Sequence, residues 1–257
     1  MELPESPTQS AGPALVLIHG FPLDRRIWSP QVDFFAPTHR LIPPDLPGFG
    51  VALHEKSIQT LEDYARWLLA VLDGLGVGSF VLGGHSMGGY VAFAMHRIAP
   101  DRLAGLALIA TRSAADSPET AATRETNAQK ALKEGPGFLA DAMLPKLFAG
   151  DPPPAHVPTV RSMIKIAKSA GVATALRAMA SRPDATPQLA TLKIPVLVIA
   201  GRHDKIVPAA EAEAMAKAIP GARLVWAEKS GHMPMLEEPD LVNRELLALV
   251  KQAAAPR

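Results

Sequence analysis

The chain has 257 residues, 26 Lys and Arg against 25 Asp and Glu, and a formal net charge of +1, so no field draws it to nucleic acid or to an anionic membrane. Without cysteine it has no disulfide, thiol nucleophile or thiolate metal site, and it fits a reducing, cytoplasmic compartment. Its length and 48% hydrophobic content suit one α/β domain carrying an insertion.

Met1 to Pro13 reads as a flexible lead-in, acidic and broken by proline rather than built like a signal peptide. No apolar run approaches the ~20 residues needed to cross a bilayer. Ala14 to Ile18 is a continuous apolar run, as in a strand buried on both faces of a parallel sheet. It enters the loop His19-Gly20-Phe21-Pro22, followed by a short helix from Trp28 to Phe35 and a short strand over Arg40 to Pro43. Thr60-Leu61-Glu62-Asp63 has the form of a capping box with Asp in place of Glu. The helix it opens, with Leu61, Tyr64, Leu68, Leu69 and Leu72 at helical spacing, ends at Gly74 or Gly76. Further strands are expected at Phe80 to Leu82, Leu103 to Ala110, Ile194 to Ile199 and Ala222 to Trp226, with a closing amphipathic helix from Asp240 to Ala253. Buried strands alternating with helices predict a doubly wound, mostly parallel sheet.

One region breaks the alternation. Residues 112–187 show no buried-strand pattern, only helical pieces such as Phe138 to Phe148 and Val160 to Ala180, with breakers at Gly135-Pro136-Gly137 and Asp151-Pro152-Pro153-Pro154. They read as a helical cap over the carboxyl edge of a core made of residues 1–111 and 188–257. Its apolar residues Met143, Leu144, Leu147, Phe148, Met163, Ile164 and Met179 read as cap core rather than pocket lining. Its arginines, including Arg112, Arg124 and Arg161, read as solvated rather than as ligands for a substrate carboxylate.

Between the Phe80 strand and the helix containing Tyr90, Val91, Phe93 and Ala94 lies Gly84-His85-Ser86-Met87-Gly88, a G-x-S-x-G sequence. In that setting the pattern is a nucleophile elbow, a turn tight enough to lift a strained serine clear of the sheet. A serine hydroxyl needs a base. Of the eight histidines, His232 follows the sixth predicted strand in a Gly- and Pro-bounded loop, at the edge where the site should lie. An acid must hold the imidazole's tautomer. Asp204, after the fifth strand, completes the order Ser86, Asp204, His232, and Asp116, beyond the fourth strand, is the rival. Backbone N–H groups of Phe21 and Met87 are the candidate oxyanion donors. Trp28, Ile206 and Met233, bulky and in loops expected to converge on Ser86, are candidate substrate contacts.

These motifs together resemble the α/β-hydrolase family. His19-Gly20-Phe21-Pro22 is similar to its HGxP oxyanion loop, and Pro44-Asp45-Leu46-Pro47-Gly48-Phe49-Gly50 to its P-D-x-x-G-x-G segment. Small carboxylesterases, enol-lactone hydrolases and cofactor-free perhydrolases are nearest in pattern. The resemblance implies a serine hydrolase of small esters or lactones, monomeric or a small homo-oligomer, with no cofactor or metal. It leaves open C–C bond hydrolysis of a diketone-like substrate, and a non-catalytic ligand-binding member of the fold. The thirteen residues before the first strand leave little room for the family's N-terminal hairpin, so a sheet of six parallel strands is expected.

Overall fold

The computed structural model describes residues 12–255, so the expected lead-in lies outside the described residues except for Gly12 and Pro13. Six strands form one parallel sheet: β1 (Ala14–Ile18), β2 (Leu41–Ile42), β3 (Phe80–His85), β4 (Leu103–Ile109), β5 (Val196–Gly201) and β6 (Arg223–Ala227), in the order β2-β1-β3-β4-β5-β6. The four inner strands are buried from end to end. That burial on both faces is why the sequence shows unbroken apolar runs there instead of alternation. Edge strand β6 is only partly covered. Register aligns Ile18 with Gly84, His85 with Ile109, and Ile109 with Ile199. The residues that leave β1, β3, β4 and β5 therefore emerge along one carboxyl edge.

Two helix layers cover the sheet. α1 (Ser29–Phe35) packs with the closing helix on one side, and α2 (Leu61–Gly74) packs with α3 (Met87–Ile98) on the other. The Thr60 hydroxyl accepts the Asp63 N–H at 3.1 Å and the Asp63 carboxylate accepts the Thr60 N–H at 2.9 Å, so the capping box forms with Asp in the Glu position. Such a cap stabilises a helix by about 1 kcal/mol. Leu61, Tyr64, Leu68 and Leu72 are the buried face of α2.

The insertion contains α4 (Pro118–Glu134), α5 (Phe138–Leu147), α6 (Val157–Ile166) and α7 (Ser169–Ala180), with no strand among them. The single helical piece expected from Val160 to Ala180 is two helices. Ala167 and Lys168 are extended between them, and the Lys168 N–H donates to the Gly48 carbonyl at 2.9 Å. That bond joins the cap to the core, and nothing in the local sequence marks it. α8 (Ala209–Ala218) packs on β5 and β6, and α9 (Pro234–Glu237) leads into α10 (Pro239–Ala254). α10 buries Val242, Leu246, Leu249 and Val250, roughly 1.5–3 kcal/mol for each large side chain. Among the described residues no helix is long and apolar enough to cross a membrane.

Candidate active site

β3 ends at His85 and α3 begins at Met87, leaving one residue, Ser86, to make the turn. It has φ 52° and ψ −113°, a conformation that costs a non-glycine residue of order 1–3 kcal/mol and persists only where the surroundings enforce it. Here the Ser86 N–H donates to Ile109 O at 2.9 Å, and the Ser86 carbonyl accepts from the Gly89 N–H at 2.9 Å and the Thr111 hydroxyl at 2.8 Å. A Cβ on Gly84 would collide with the Gly88 backbone, so the strand and helix can close around the serine only with glycine there. The Met87 N–H lies in the first turn of α3, where no intrahelical acceptor exists and the helix end is electropositive.

The acid and the histidine stand on neighbouring loops. Past β5 the chain keeps pairing with the segment after β6: the Arg202 N–H donates to Ala227 O at 2.9 Å and the His203 N–H to Ser230 O at 2.9 Å. A side chain on Gly201 would strike the Gly231 carbonyl, so glycine is what lets these loops touch. Asp204 Oδ1 accepts the N–H groups of Ile206 (2.7 Å) and Val207 (2.9 Å), while Oδ2 lies 2.8 Å from His232 Nδ1. Both side chains are 3% exposed. The carboxylate thus holds the Nδ1 proton and leaves His232 Nε2 as the basic atom.

The His232 loop is clamped from three sides. His85 Nε2 donates to the His232 carbonyl at 2.8 Å, and the His232 N–H donates to Leu147 O of the cap at 2.9 Å. Glu237 accepts the Gly231 and Ala149 N–H groups, at 2.7 and 2.8 Å, and Glu238 accepts the Ser230 hydroxyl at 2.7 Å. Burial, reinforced by His232 alongside, holds the His85 imidazole well below its usual range, so it stays neutral. His19 braces the first loop: its Nε2 accepts the Leu46 N–H at 3.0 Å and its Nδ1 donates to Gly20 O at 3.0 Å. Burial also lowers its pKa, against the opposing effect of the Gly20 carbonyl and of Asp45.

Ser86 and His232 line one cavity of about 300 Å³, together with Phe21, Tyr90, Arg112, Thr120, Arg124, Met143, Met179, Ile206 and Val207. Of the predicted substrate contacts, Ile206 is therefore at the cavity and two are not. Trp28 is fully buried beneath the elbow, its ring 6.5 Å edge-on from that of His85. Met233 is fully buried and is not among the residues lining the cavity. Both follow from packing: large apolar groups next to the strand ends fill the core before they reach solvent. The rival acid, Asp116, is enclosed by arginines, whereas the carboxylate on His232 is that of Asp204. Asp116 accepts Arg112 Nη2 at 2.9 Å, pairs with Arg182 Nη1 at 2.8 Å, and pairs with Arg124. Burial works to raise its pKa, but Arg124 and Arg182 outweigh it and hold the carboxyl below its usual range.

Several residues at the site carried no signal in the sequence reading. Tyr90, Thr120 and Val207 line the cavity, and Thr111 secures the elbow. Met143 and Met179, expected in the cap core, reach the cavity, whereas Leu144, Leu147, Phe148, Met163 and Ile164 are buried in the cap. Arg112 and Arg124, read as solvated, line the cavity as well. Arg161 is exposed and paired with Asp141. Among the described residues no group of three or more His, Cys, Asp or Glu side chains could hold a metal ion.

A parallel sheet with a serine at a strained β3–α3 turn and a histidine–aspartate pair at the same edge is the arrangement of one family, and residues 13–239 match the model of the alpha/beta hydrolase fold. The chain belongs to that family. Among solved structures it is similar to a thermophilic esterase from Thermogutta terrifontis, solved with malate bound, at 40% identity and a TM-score of 0.90, covering 96% of this chain and 92% of the other. It is also similar to the enol-lactonase of Burkholderia xenovorans LB400, at 29% identity and a TM-score of 0.88, covering 96% and 94%. Among curated proteins it is 32% identical over 254 residues to the dihydrolipoyllysine-residue acetyltransferase component of the acetoin cleaving system of Pseudomonas putida; the alignment covers 94% of this chain and 64% of that protein.

Proposed function

We propose that the protein is a serine hydrolase that cleaves a small carboxylic ester or lactone through an acyl-enzyme. The observation that carries this reading is the His232 Nδ1–Asp204 Oδ2 contact of 2.8 Å, with Ser86 and His232 lining one cavity. His232 Nε2 takes the Ser86 hydroxyl proton as Oγ attacks the acyl carbon. The resulting oxyanion rests on the N–H groups of Phe21 and Met87. Collapse expels the alkoxide, which takes the proton from His232 and leaves the acyl group on Ser86. Water, deprotonated by His232, attacks the acyl ester, and the acid departs as the proton returns to Ser86. The cycle uses water and a small-molecule substrate, with no cofactor. A cavity near the lower end of the roughly 300–1,000 Å³ range of ligand sites favours short acyl groups or a compact lactone.

The test is a panel of esters, lactones and thioesters, read together with labelling by a serine-reactive phosphonate. Expected are hydrolysis of short esters or lactones by the wild type, labelling at Ser86, and loss of both in Ser86→Ala with the fold retained. Label on another residue, or near-wild-type turnover by Ser86→Ala, would remove Ser86 from the reaction. Turnover confined to β-diketones would move the activity to C–C hydrolysis.

A further inference from the structure

The cavity that holds Ser86 is electrically unbalanced. Arg112, on the loop after β4, and Arg124, on α4, both line it. A third guanidinium, Arg182, stands behind them. All three converge on Asp116, whose side chain is fully buried. One carboxylate cannot neutralise three permanent cations. The other acid that acts on Arg112 is Glu211 at the start of α8, through space and without a hydrogen bond.

The three arginines differ in how far their donors are used. Arg182 spends both terminal nitrogens on backbone carbonyls, Nη1 on Met179 O and Nη2 on Ala114 O, each at 2.8 Å, its guanidinium lies 4.1 Å over the Tyr90 ring, and its buried Nε has no hydrogen-bond partner. Arg124 spends Nε and Nη2 on Asp116, but Nη1 meets only the Met179 sulfur at 3.5 Å, a weak acceptor. Arg112 gives Nη2 to Asp116, and its buried Nε has no hydrogen-bond partner. A buried guanidinium donor without an acceptor is costly. Asp116 therefore holds Arg112 and Arg124 at the cavity wall with more positive charge than it can neutralise, and Arg124 Nη1 has only the Met179 sulfur as a partner.

We infer that Arg112 and Arg124 form an anion subsite beside Ser86, and that the preferred substrate is an ester or lactone whose acyl part carries a free carboxylate, such as the half-ester of a short dicarboxylic acid. This rests on the serine-hydrolase reading and adds its substrate class. The charge belongs on the acyl part because that part stays in the cavity through both half-reactions. An anchored carboxylate then holds the acyl carbonyl in place for the second attack, when the alcohol has gone. Thr120, whose hydroxyl is hydrogen-bonded with that of Ser117 at 3.2 Å, also lines the cavity.

The experiment compares monomethyl adipate with its terminal amide, methyl adipamate, which has nearly the same shape and no charge. Wild-type kcat/KM is expected to favour the acid by roughly tenfold or more, the factor one charge-assisted hydrogen bond supplies. In Arg112→Gln the ratio should fall toward one. That variant leaves Asp116 paired with Arg124 and Arg182, so folding is expected to survive, and its Tm is measured alongside. A second arm needs no turnover: adipate is titrated into Ser86→Ala and into Ser86→Ala/Arg112→Gln, with about tenfold weaker binding expected in the latter. Equal kcat/KM for acid and amide, or adipate binding indifferent to Arg112, would overturn the subsite. If neither ester is cleaved, the substrate panel and the phosphonate label decide the hydrolase reading, and the adipate titration still decides the subsite.

Discussion

Replacing Asp204 by Asn isolates what the acid does, because the surrounding donors dictate how the amide must sit. Both backbone N–H groups at this position point at Oδ1, from Ile206 at 2.7 Å and Val207 at 2.9 Å. An asparagine keeps its oxygen there, since turning its NH2 toward two donors would leave all three unsatisfied. The NH2 then occupies the place of Oδ2, 2.8 Å from His232 Nδ1. Nδ1 must accept rather than donate, so the histidine proton moves to Nε2, the atom that should receive the proton of Ser86. The buried pair offers no solvent to restore the other tautomer. In a triad of this design the same exchange lowers kcat by about 10⁴-fold, about 5 kcal/mol of transition-state stabilisation. The assay is kcat on a chromogenic short-chain ester at neutral pH, with phosphonate labelling of Ser86 and Tm as controls. The expected outcome is a folded protein, slow labelling and a loss of several orders of magnitude. Asp204→Asn activity within about tenfold of wild type would refute the reasoning. So would an equal loss in Asp116→Asn, which should instead weaken the Arg112, Arg124 and Arg182 cluster.

Three other outcomes are expected. Ser86→Gly should be about 1 kcal/mol more stable than Ser86→Ala in chemical denaturation, because glycine accepts φ 52° without the steric cost; equal stabilities would mean the turn is unstrained. Trp28→Ala should destabilise the protein by about 3–5 kcal/mol and leave the acyl-chain profile little changed, since Trp28 is wholly buried against His85 and outside the cavity; a marked shift toward longer chains at near-native stability would place it at the substrate. His85 and His19 both have folded-state pKa values lowered from 6.5 by burial. Below that pH the unfolded chain binds more protons, so the stability they contribute is full above it and is lost as pH falls, by up to about 1.4 kcal/mol per pH unit for each. Unfolding free energies that stay flat from neutral pH to well below 6.5 would contradict this.

How much was legible depended on how local the cause was. The strands were visible because burial on both faces writes itself as unbroken apolar runs, and α2 because its cap lies within four residues. Ser86 could be named because one residue must make the β3–α3 turn, which demands small neighbours at fixed offsets. Asp204 and His232 followed from chain order and from the expectation that the site lies beyond the strand ends. What the sequence could not rank was Asp204 against Asp116. Both follow strands, and only the folded chain shows one facing His232 and the other closed in by three arginines. Where Trp28, Met233, Met143, Met179, Arg112 and Arg124 come to lie was unreadable for the same reason. Whether a bulky or charged side chain meets core, solvent or cavity depends on elements far away in sequence, as when Phe21 and His232 line one cavity, and no local pattern records it. The amino-acid order by itself determined the sheet and the elbow, because each arises from periodicity or from short-range sterics. The tertiary structure alone decided which carboxylate meets His232, and which residues form the cavity wall and its charge, because these depend on which distant segments the packing brings together.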